Sequence, residues 1–248
     1  MEVIKFTLSG KNAFFKKPEV NTFYYFTYGC IHKVALLGIF GAILGYSGYN
    51  QREKGELIPE FYKKLEGIEV SVVPRNPNGF ISKKIQVFNN SVGYASQEQG
   101  GNLVVKEQWL ENPIWDIYFK INSEETTELA NRLMNGTCVY IPYLGKNDHF
   151  ADITNVRKIS AVESCNQDII INSLLRKQKA KFAIRQSEGF LWGDEELEET
   201  YKYEEKLPYS LSKGTSLYEL ESMVFTNVKL ESYDDIVYEV EGKRIVFI

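Results

Sequence analysis

Apolar and polar residues alternate along residues 2–8, EVIKFTL, and this pattern predicts a half-buried opening strand. A dense apolar run follows at residues 32–47 and predicts a helix. This run contains the closely spaced glycines Gly38, Gly41 and Gly45. Because each glycine inside a helix costs about 1 kcal/mol relative to alanine, we expect another backbone or a bound partner to lie against this helix.

Further periodic segments fill the chain up to residue 143. They predict a short helix ending at Gly67, strands at 68–73, 113–121 and 137–143, a long hairpin at about 79–110, and a helix between Ser123 and Asn135–Gly136. Without the hairpin the order is β–α–β–β–α–β, which is typical of the ferredoxin-like fold that RNA-recognition modules share. We therefore predict an α+β chain with a ferredoxin-like domain over 1–150. A β-rich extension over 151–248 follows, in which residues 241–243 form a tight turn.

The composition is typical of a globular protein, with 44% apolar and 25% charged residues. A net charge of −4 argues against a general binder of polyanions. The charge is unevenly distributed, however, because residues 1–120 have a balance of +3 and residues 121–248 a balance of −7. A local basic surface in the first half of the chain is therefore compatible with the acidic average.

The cysteines Cys30, Cys138 and Cys165 lie far apart and form no CxxC pair, which favours free buried thiols in a reducing compartment. The pattern of residues 1–8 predicts a strand and not a secretory signal. The apolar run at 34–46 is shorter than the roughly 20 residues of a membrane span. We expect a cytoplasmic protein without a membrane partner.

Few residues are available for enzyme chemistry. His32 and His149 are the histidines, and HExxH, CxxC, GxxxxGK[ST] and GxSxG are absent from the sequence. We therefore expect no metal and no cofactor, and a small-molecule enzyme is the least favoured class. His149 follows Asp148 and is interpreted as a surface loop residue, although an acid–base or metal role is open. The acidic segment 194–205 is interpreted as solvated surface, or as a face for a basic protein partner.

The loop at 9–28 combines lysines with aromatic rings. Single-stranded RNA is held by cations on its phosphates and by aromatic faces beneath its unstacked bases. We therefore predict RNA contacts from Phe14 or Phe15 and from the lysines Lys11, Lys16 and Lys17. The alternative is that the rings fill a core beneath the loop, and this is the expectation for Phe23 and Phe26.

Other cations are candidates for phosphate contacts. His32 and Lys33 lie at the predicted N-terminus of the glycine-rich helix, where backbone amides and the helix dipole favour an anion. Lys83 and Lys84 lie on the predicted hairpin. A charge run is usually solvated surface, and this is the first interpretation of the basic cluster Arg176, Lys177, Lys179, Lys181 and Arg185.

Several segments together resemble a known family. They are an opening strand followed by SGxxAxFKKP at 9–18, the helix GIFGAILGY at 38–46, the strand PIWDIYFKI at 113–121 and the segment TCVYIPYLGKNDHFADI at 137–153. The pattern is similar to the Cas-five family of CRISPR-associated RAMP subunits from type I Cascade surveillance complexes, with type I-B the nearest branch. The resemblance is strongest over 1–50 and 137–153. The chain departs from many relatives just before the helix, where it reads YGCIHK.

The resemblance implies a ferredoxin-like RAMP domain whose inserted hairpin at about 79–110 is a thumb. It implies a subunit that is not a nuclease, grips the 5′ handle of the CRISPR RNA (crRNA), caps the filament of backbone RAMP subunits and contacts the large PAM-recognising subunit. Target DNA would be a partner through the complex. The handle contacts of the family correspond to Lys16, Lys17, His32, Lys33, Lys83 and Lys84. One branch cuts RNA without metal, so a metal-independent endoribonuclease using His32, His149 and Tyr46 is the alternative.

Overall fold

The computed structural model describes residues 1–19, 24–94, 97–183 and 199–248. Its helices are α1 (Lys33–Leu44), α2 (Glu60–Leu65) and α3 (Glu124–Met134). The strands of the first part of the chain are β1 (Glu2–Ser9), β2 (Asn12–Ala13), β3 (Val70–Pro74), β4 (Lys83–Asn89), β5 (Val104–Glu111), β6 (Ile114–Lys120) and β7 (Asp152–Ser160). Those of the second part are β8 (Val162–Ser164), β9 (Gln167–Ile169), β10 (Leu175–Arg176), β11 (Ala180–Phe182), β12 (Lys202–Leu211), β13 (Tyr218–Thr226), β14 (Leu230–Tyr233), β15 (Val237–Val240) and β16 (Lys243–Val246).

A four-stranded antiparallel sheet in the order β3-β6-β1-β7 forms the centre of the first part. The opening strand is confirmed as β1, but the expectation that it is half-buried is wrong. On one face, Ile4, Phe6 and Leu8 join the main core, which also contains α1. On the opposite face, Val3 packs with Tyr238 and other residues of the β15–β16 hairpin in a second, smaller core. Both faces of β1 are therefore buried, one beneath helices and one beneath the C-terminal hairpin.

Helix α1 is confirmed, although it ends at Leu44 and the sequence pattern predicted residue 47. It stops because Gly45 adopts a left-handed conformation, with φ of 88°. A Cβ atom at Gly41 would lie 2.5 Å from the Cβ of Phe61, so this glycine allows α2 to pack against α1. The close approach expected from the glycines is thus made at Gly41 by the chain itself.

Helix α3 is confirmed at both ends. The Ser123 hydroxyl accepts a hydrogen bond from the backbone N–H of Thr126, and Gly136 beyond the helix has φ of 63°. The strand predicted at 137–143 is wrong. The backbone N–H groups of Val139 and Tyr140 donate to the carbonyls of Ile43 and Ala42, so this segment satisfies the C-terminal end of α1. The fourth strand of the sheet is β7, beyond residue 150.

The predicted hairpin is confirmed as strands β4 and β5, which pair from Lys83 opposite Leu110 to Asn89 opposite Val104. Strand β2 pairs with the other edge of β5, which gives a three-stranded sheet in the order β2-β5-β4. Tyr25 forms an isolated parallel bridge with Glu107. The hairpin is therefore anchored to the loop that follows β1.

The described residues after β7 form three small antiparallel sheets with the orders β10-β13-β12, β11-β14-β9 and β16-β15-β8. The predicted turn between β15 and β16 is confirmed, since Glu241 and Gly242 have φ of 51° and 74°. Free thiols are observed at all three cysteines, but Cys30 is buried while Cys138 and Cys165 are exposed.

The described members of the basic cluster are paired with acids of the same chain. The ion pairs are Arg176–Glu221, Lys177–Glu204, Lys179–Asp235 and Lys181–Glu231. Arg185 and residues 194–198 of the acidic segment lie outside the described residues. In the rest of that segment, Glu204 and Glu205 pair with lysines of this chain. These acids are therefore engaged internally.

Candidate functional site

A groove of about 940 Å³ runs along the outward face of α1. Its floor includes Ala35, Gly38 and Ala42, which recur at helical spacing and have little or no side chain. A Cβ atom at Gly38 would meet nothing within 4 Å. We call this space the α1 groove.

Tyrosines from separate parts of the chain line the α1 groove: Tyr46, Tyr49, Tyr140, Tyr143 and Tyr218. Three of these are substantially exposed, Tyr49 by 39%, Tyr140 by 50% and Tyr143 by 47%. The backbone hydrogen bond from Tyr140 to the Ala42 carbonyl, of 3.0 Å, holds one of them beside the helix. The groove therefore presents exposed tyrosines beside a stretch of helix that includes small side chains.

The turn at Leu144 and Gly145 joins the loop after β1 to this site. The backbone N–H of Phe14 donates to the carbonyl of Leu144 at 2.9 Å. Gly145 has φ of 88°, and a Cβ atom there would overlap the carbonyl of Phe14. Only glycine fits this position, which explains the glycine in the segment YLGK.

Phe14 and Phe15 line the base of the α1 groove, but they are only 5% and 4% exposed. The interpretation of one of these rings as an open stacking platform is therefore corrected, because the rings belong to the packed interior. Phe26, expected in the core, is half-buried and stacks with Tyr24 at 6.1 Å between ring centroids. Phe23 lies outside the described residues.

The interpretation of His32 as a cation for phosphate is also corrected. Its Nδ1 accepts a hydrogen bond from the backbone N–H of Ala35 at 3.2 Å, so the side chain is the N-cap of α1. The rings of Phe15, Tyr28 and Tyr218 surround it at centroid distances of 5.4–5.8 Å. Burial lowers the pKa of His32 to about 3, which makes the ring neutral at pH 7.

Lys33 is buried as well, with its Nζ 4.8 Å from the ring centroid of Tyr209. Burial is the main cause that lowers the pKa of Lys33 to about 8. It does not line the α1 groove. Of the two cations predicted at the N-terminus of α1, His32 is therefore a neutral N-cap and Lys33 is a buried lysine.

Among the residues that the structure describes, the lysines Lys16 and Lys146 line the α1 groove. Lys16 is exposed and lies 3.9 Å from the ring centroid of Tyr25. Lys146 forms an ion pair of 2.9 Å with Glu107 and also contacts the rings of Phe88 and Trp109. Glu107 is the acid among the described lining residues, so these side chains together carry a small excess of positive charge.

The other predicted lysines lie outside the α1 groove. Lys17 pairs with Glu205 at 2.5 Å and Lys84 with Glu111 at 3.6 Å. Lys11 and Lys83 are exposed. The predicted RNA-binding set is therefore divided, and of its lysines the structure brings Lys16 to the groove.

His149 is buried, so its interpretation as a surface loop residue is wrong. Its ring lies 4.4 Å from the Trp109 ring, and neither ring nitrogen has a hydrogen-bond partner among the described residues. Burial is the main cause that lowers its pKa. Of the residues in the catalytic alternative, His32 and Tyr46 line the groove and His149 does not.

Among the described residues, no group of histidine, cysteine and acidic side chains is placed to hold a metal ion. Within the same residues, no helix has the length and apolar character needed to cross a membrane.

Comparison with solved structures gives a matching fold. A chain described as a CRISPR RNA-guided surveillance complex superposes with a TM-score of 0.54 over 93% of this chain and 91% of that chain, at 10% identity. The two chains share a fold. A CRISPR protein from Archaeoglobus fulgidus gives a TM-score of 0.49 at 10% identity, over 99% of this chain and 98% of that one. A chain of a type III-B Cmr-beta complex bound to cognate target RNA gives a TM-score of 0.46 at 11% identity, over 93% of this chain and 86% of that chain. No family model and no curated protein matches the sequence.

Sequence reasoning missed most of the tyrosines and one of the lysines that line the groove, namely Tyr49, Tyr140, Tyr143, Tyr218 and Lys146. The sequence pattern predicts a strand for the segment that contains Tyr140 and Tyr143, and alternate residues of such a strand would point into a core. Lys146 directly follows the glycine of the segment YLGK, and that glycine was the available signal. Tyr218 lies far along the chain, and no local pattern connects it with α1.

Proposed function

We propose that this chain is an RNA-binding subunit of a CRISPR effector complex and that single-stranded RNA occupies the α1 groove. The observation that carries the proposal is the set of exposed tyrosines that line the groove together with Lys16 and Lys146, next to the small helix residues Ala35, Gly38 and Ala42. The shared fold supports the same role. The sheet order β3-β6-β1-β7, with two crossover helices, supports a ferredoxin-like RAMP domain.

The chemistry of the groove suits unpaired nucleotides. Stacking of a base on an aromatic side chain contributes about 1–3 kcal/mol and requires little sequence preference. Lysines beside the rings attract the phosphates between successive bases. The small floor residues, Gly38 above all, leave room for a sugar–phosphate backbone next to the helix. Because the charge excess is small, we expect stacking to contribute more than charge.

The finer role that we propose is that of a type I-B-like Cas-five subunit in the cytoplasm. It would hold the 5′ handle of crRNA, cap the filament of backbone RAMP subunits and contact the large PAM-recognising subunit, so that target DNA is reached through the complex. The β4–β5 hairpin would be the thumb. Its exposed apolar residues Ile85, Val87 and Val104 support contact with a neighbouring subunit.

We propose binding and not cleavage. His32 is committed to capping α1 and His149 is enclosed, so both are poorly placed to exchange protons with an RNA substrate. The alternative of a metal-independent endoribonuclease is tested by incubating the full chain with CRISPR precursor RNA in EDTA. Uncut RNA is the expected result. Cleavage by the wild type that His32→Ala abolishes would establish the alternative.

The stacking surface is tested by fluorescence anisotropy with a labelled single-stranded oligoadenylate RNA. The double variant Tyr140→Ala and Tyr143→Ala is expected to weaken binding about tenfold or more, because two rings are removed. The matched control, Tyr140→Phe and Tyr143→Phe, keeps both rings and is expected to bind like the wild type. Equal affinity of the alanine variant and the wild type would contradict the groove as the RNA site.

The effector-complex role is tested by purifying the tagged full chain from its native host and sequencing the RNA that accompanies it. We expect small RNAs with a common 5′ sequence, together with other CRISPR-associated proteins. Recovery of the chain without RNA and without such proteins would contradict the role.

A further inference from the structure

A second, smaller pit of about 230 Å³ opens on the opposite face of the central sheet from α1. Its lining includes Lys5 and Thr7 of β1, Asp116 of β6, and Arg157 of β7. Strand register places them together, because Lys5 lies opposite Arg157 and Thr7 lies opposite Asp116. We call this space the sheet pit.

A β-bulge shapes the sheet pit. Between the pairs Lys5–Arg157 and Thr7–Thr154, strand β1 has one residue and strand β7 has two, Asn155 and Val156. Asn155 adopts φ of 54°, a conformation that few residues other than glycine adopt, and its side-chain amide reaches Thr7. Bulges of this kind re-aim side chains and are frequent beside functional sites.

The pit is richer in cations than its own acids require. Asp116 is buried and pairs with Arg75 at 3.2 Å, Lys243 at 3.5 Å and Lys5 at 3.9 Å. Glu241 forms ion pairs with Lys5 at 2.7 Å and with Arg157 at 3.1 Å. Four cations therefore surround two carboxylates, which leaves two positive charges in excess. Arg75 and Arg157 are exposed and keep donors that face solvent.

We propose that the sheet pit binds a phosphate group. Two excess positive charges match a phosphate, and arginines provide the paired N–H groups that suit its oxygens. A water molecule takes about 30 Å³, so a pit of about 230 Å³ has room for the group and a few waters. The ligand chemistry is the same whether the group is free phosphate or a phosphodiester of a nucleic acid. This site is separate from the α1 groove and does not depend on RNA binding there.

The test is isothermal titration calorimetry on the full chain, with ionic strength held constant by chloride. One arm titrates inorganic phosphate, and the other titrates a short single-stranded RNA into the Tyr140→Ala and Tyr143→Ala background, which is expected to weaken stacking in the α1 groove. The pit variant is Arg75→Gln with Arg157→Gln, both at exposed positions. Its matched control, Arg132→Gln with Lys158→Gln, removes two cations from surface ion pairs elsewhere.

The site is supported if binding in either arm weakens about tenfold or more in the pit variant and is unchanged in the control. The arm in which this happens identifies the source of the phosphate. Arg157→Lys, which keeps the charge, is expected to retain most of the binding. Thermal melting of the pit variant is the check that it is folded. No saturable binding in either arm, or binding that the pit variant and the control change equally, would overturn the proposal.

Discussion

Glycine has different roles on the inward and outward faces of α1. On the inward face, Gly41 brings the helix against Phe61, and Leu36, Leu37 and Phe40 join the core. On the outward face, Gly38 meets open space and is part of the floor of the α1 groove. A run of glycines therefore marks helix surfaces that must remain smooth, but it does not distinguish contact within the chain from contact with a ligand.

Gly41→Val is the strongest test of the packing on the inward face of α1. A branched side chain at this position overlaps Phe61, and overpacking of this kind costs about 3 kcal/mol. For a chain of this size, we expect a fall in Tm of about 6–12 °C in thermal melting. An unchanged Tm would show that α1 and α2 do not pack as closely as the 2.5 Å approach indicates.

The cap of the same helix predicts acid sensitivity. His32 has a pKa of about 3 in the folded chain, below the value of 6.5 expected when it is unfolded. Its neutral form therefore stabilises the fold above pH 6.5, and this stability is lost as the pH falls towards 3. We expect the free energy of unfolding to fall by about 2 kcal/mol between pH 7 and pH 5 because of this group.

The His32 contribution is isolated by urea denaturation of the wild type and of His32→Asn at both pH values. Asparagine keeps an N-cap acceptor but does not titrate in this range. The variant is expected to show the smaller loss on acidification. An equal loss in both proteins would place the acid sensitivity elsewhere, for instance at His149, whose pKa is also lowered by burial.

On the outward face of α1, Gly38→Ala is the counterpart of Gly41→Val. Alanine favours the helix by about 1 kcal/mol over glycine, and at this position its methyl group meets nothing within 4 Å. We expect a gain in Tm of about 2–4 °C in the same melting experiment. A loss of stability would mean that the groove floor is packed against the chain and not open.

Sequence reasoning succeeded where the determinants are local. The cap at Ser123, the paired strands β4 and β5, and the turn at Glu241 and Gly242 are specified by residues within a few positions of each other. It failed at 137–143, because that segment's backbone serves the carbonyl end of α1, which lies almost a hundred residues earlier.

The candidate site was predictable only in part. The loop after β1 and the glycine-rich helix do meet at the α1 groove, as their chemistry suggested. The roles of individual side chains did not follow, because burial turned Phe14 and Phe15 inward and made His32 neutral. Pairing of Lys17 with Glu205 joins residues 188 positions apart, and no window of sequence contains both.

Gly38→Phe tests most directly whether RNA occupies the α1 groove. The ring would fill the groove above an otherwise intact helix. Gly67→Phe is the matched control, because Gly67 also faces open space but does not line the groove. In anisotropy with the oligoadenylate RNA, we expect Gly38→Phe to weaken binding about tenfold or more and Gly67→Phe to bind like the wild type. Equal affinity of both variants and the wild type would contradict RNA binding in the groove.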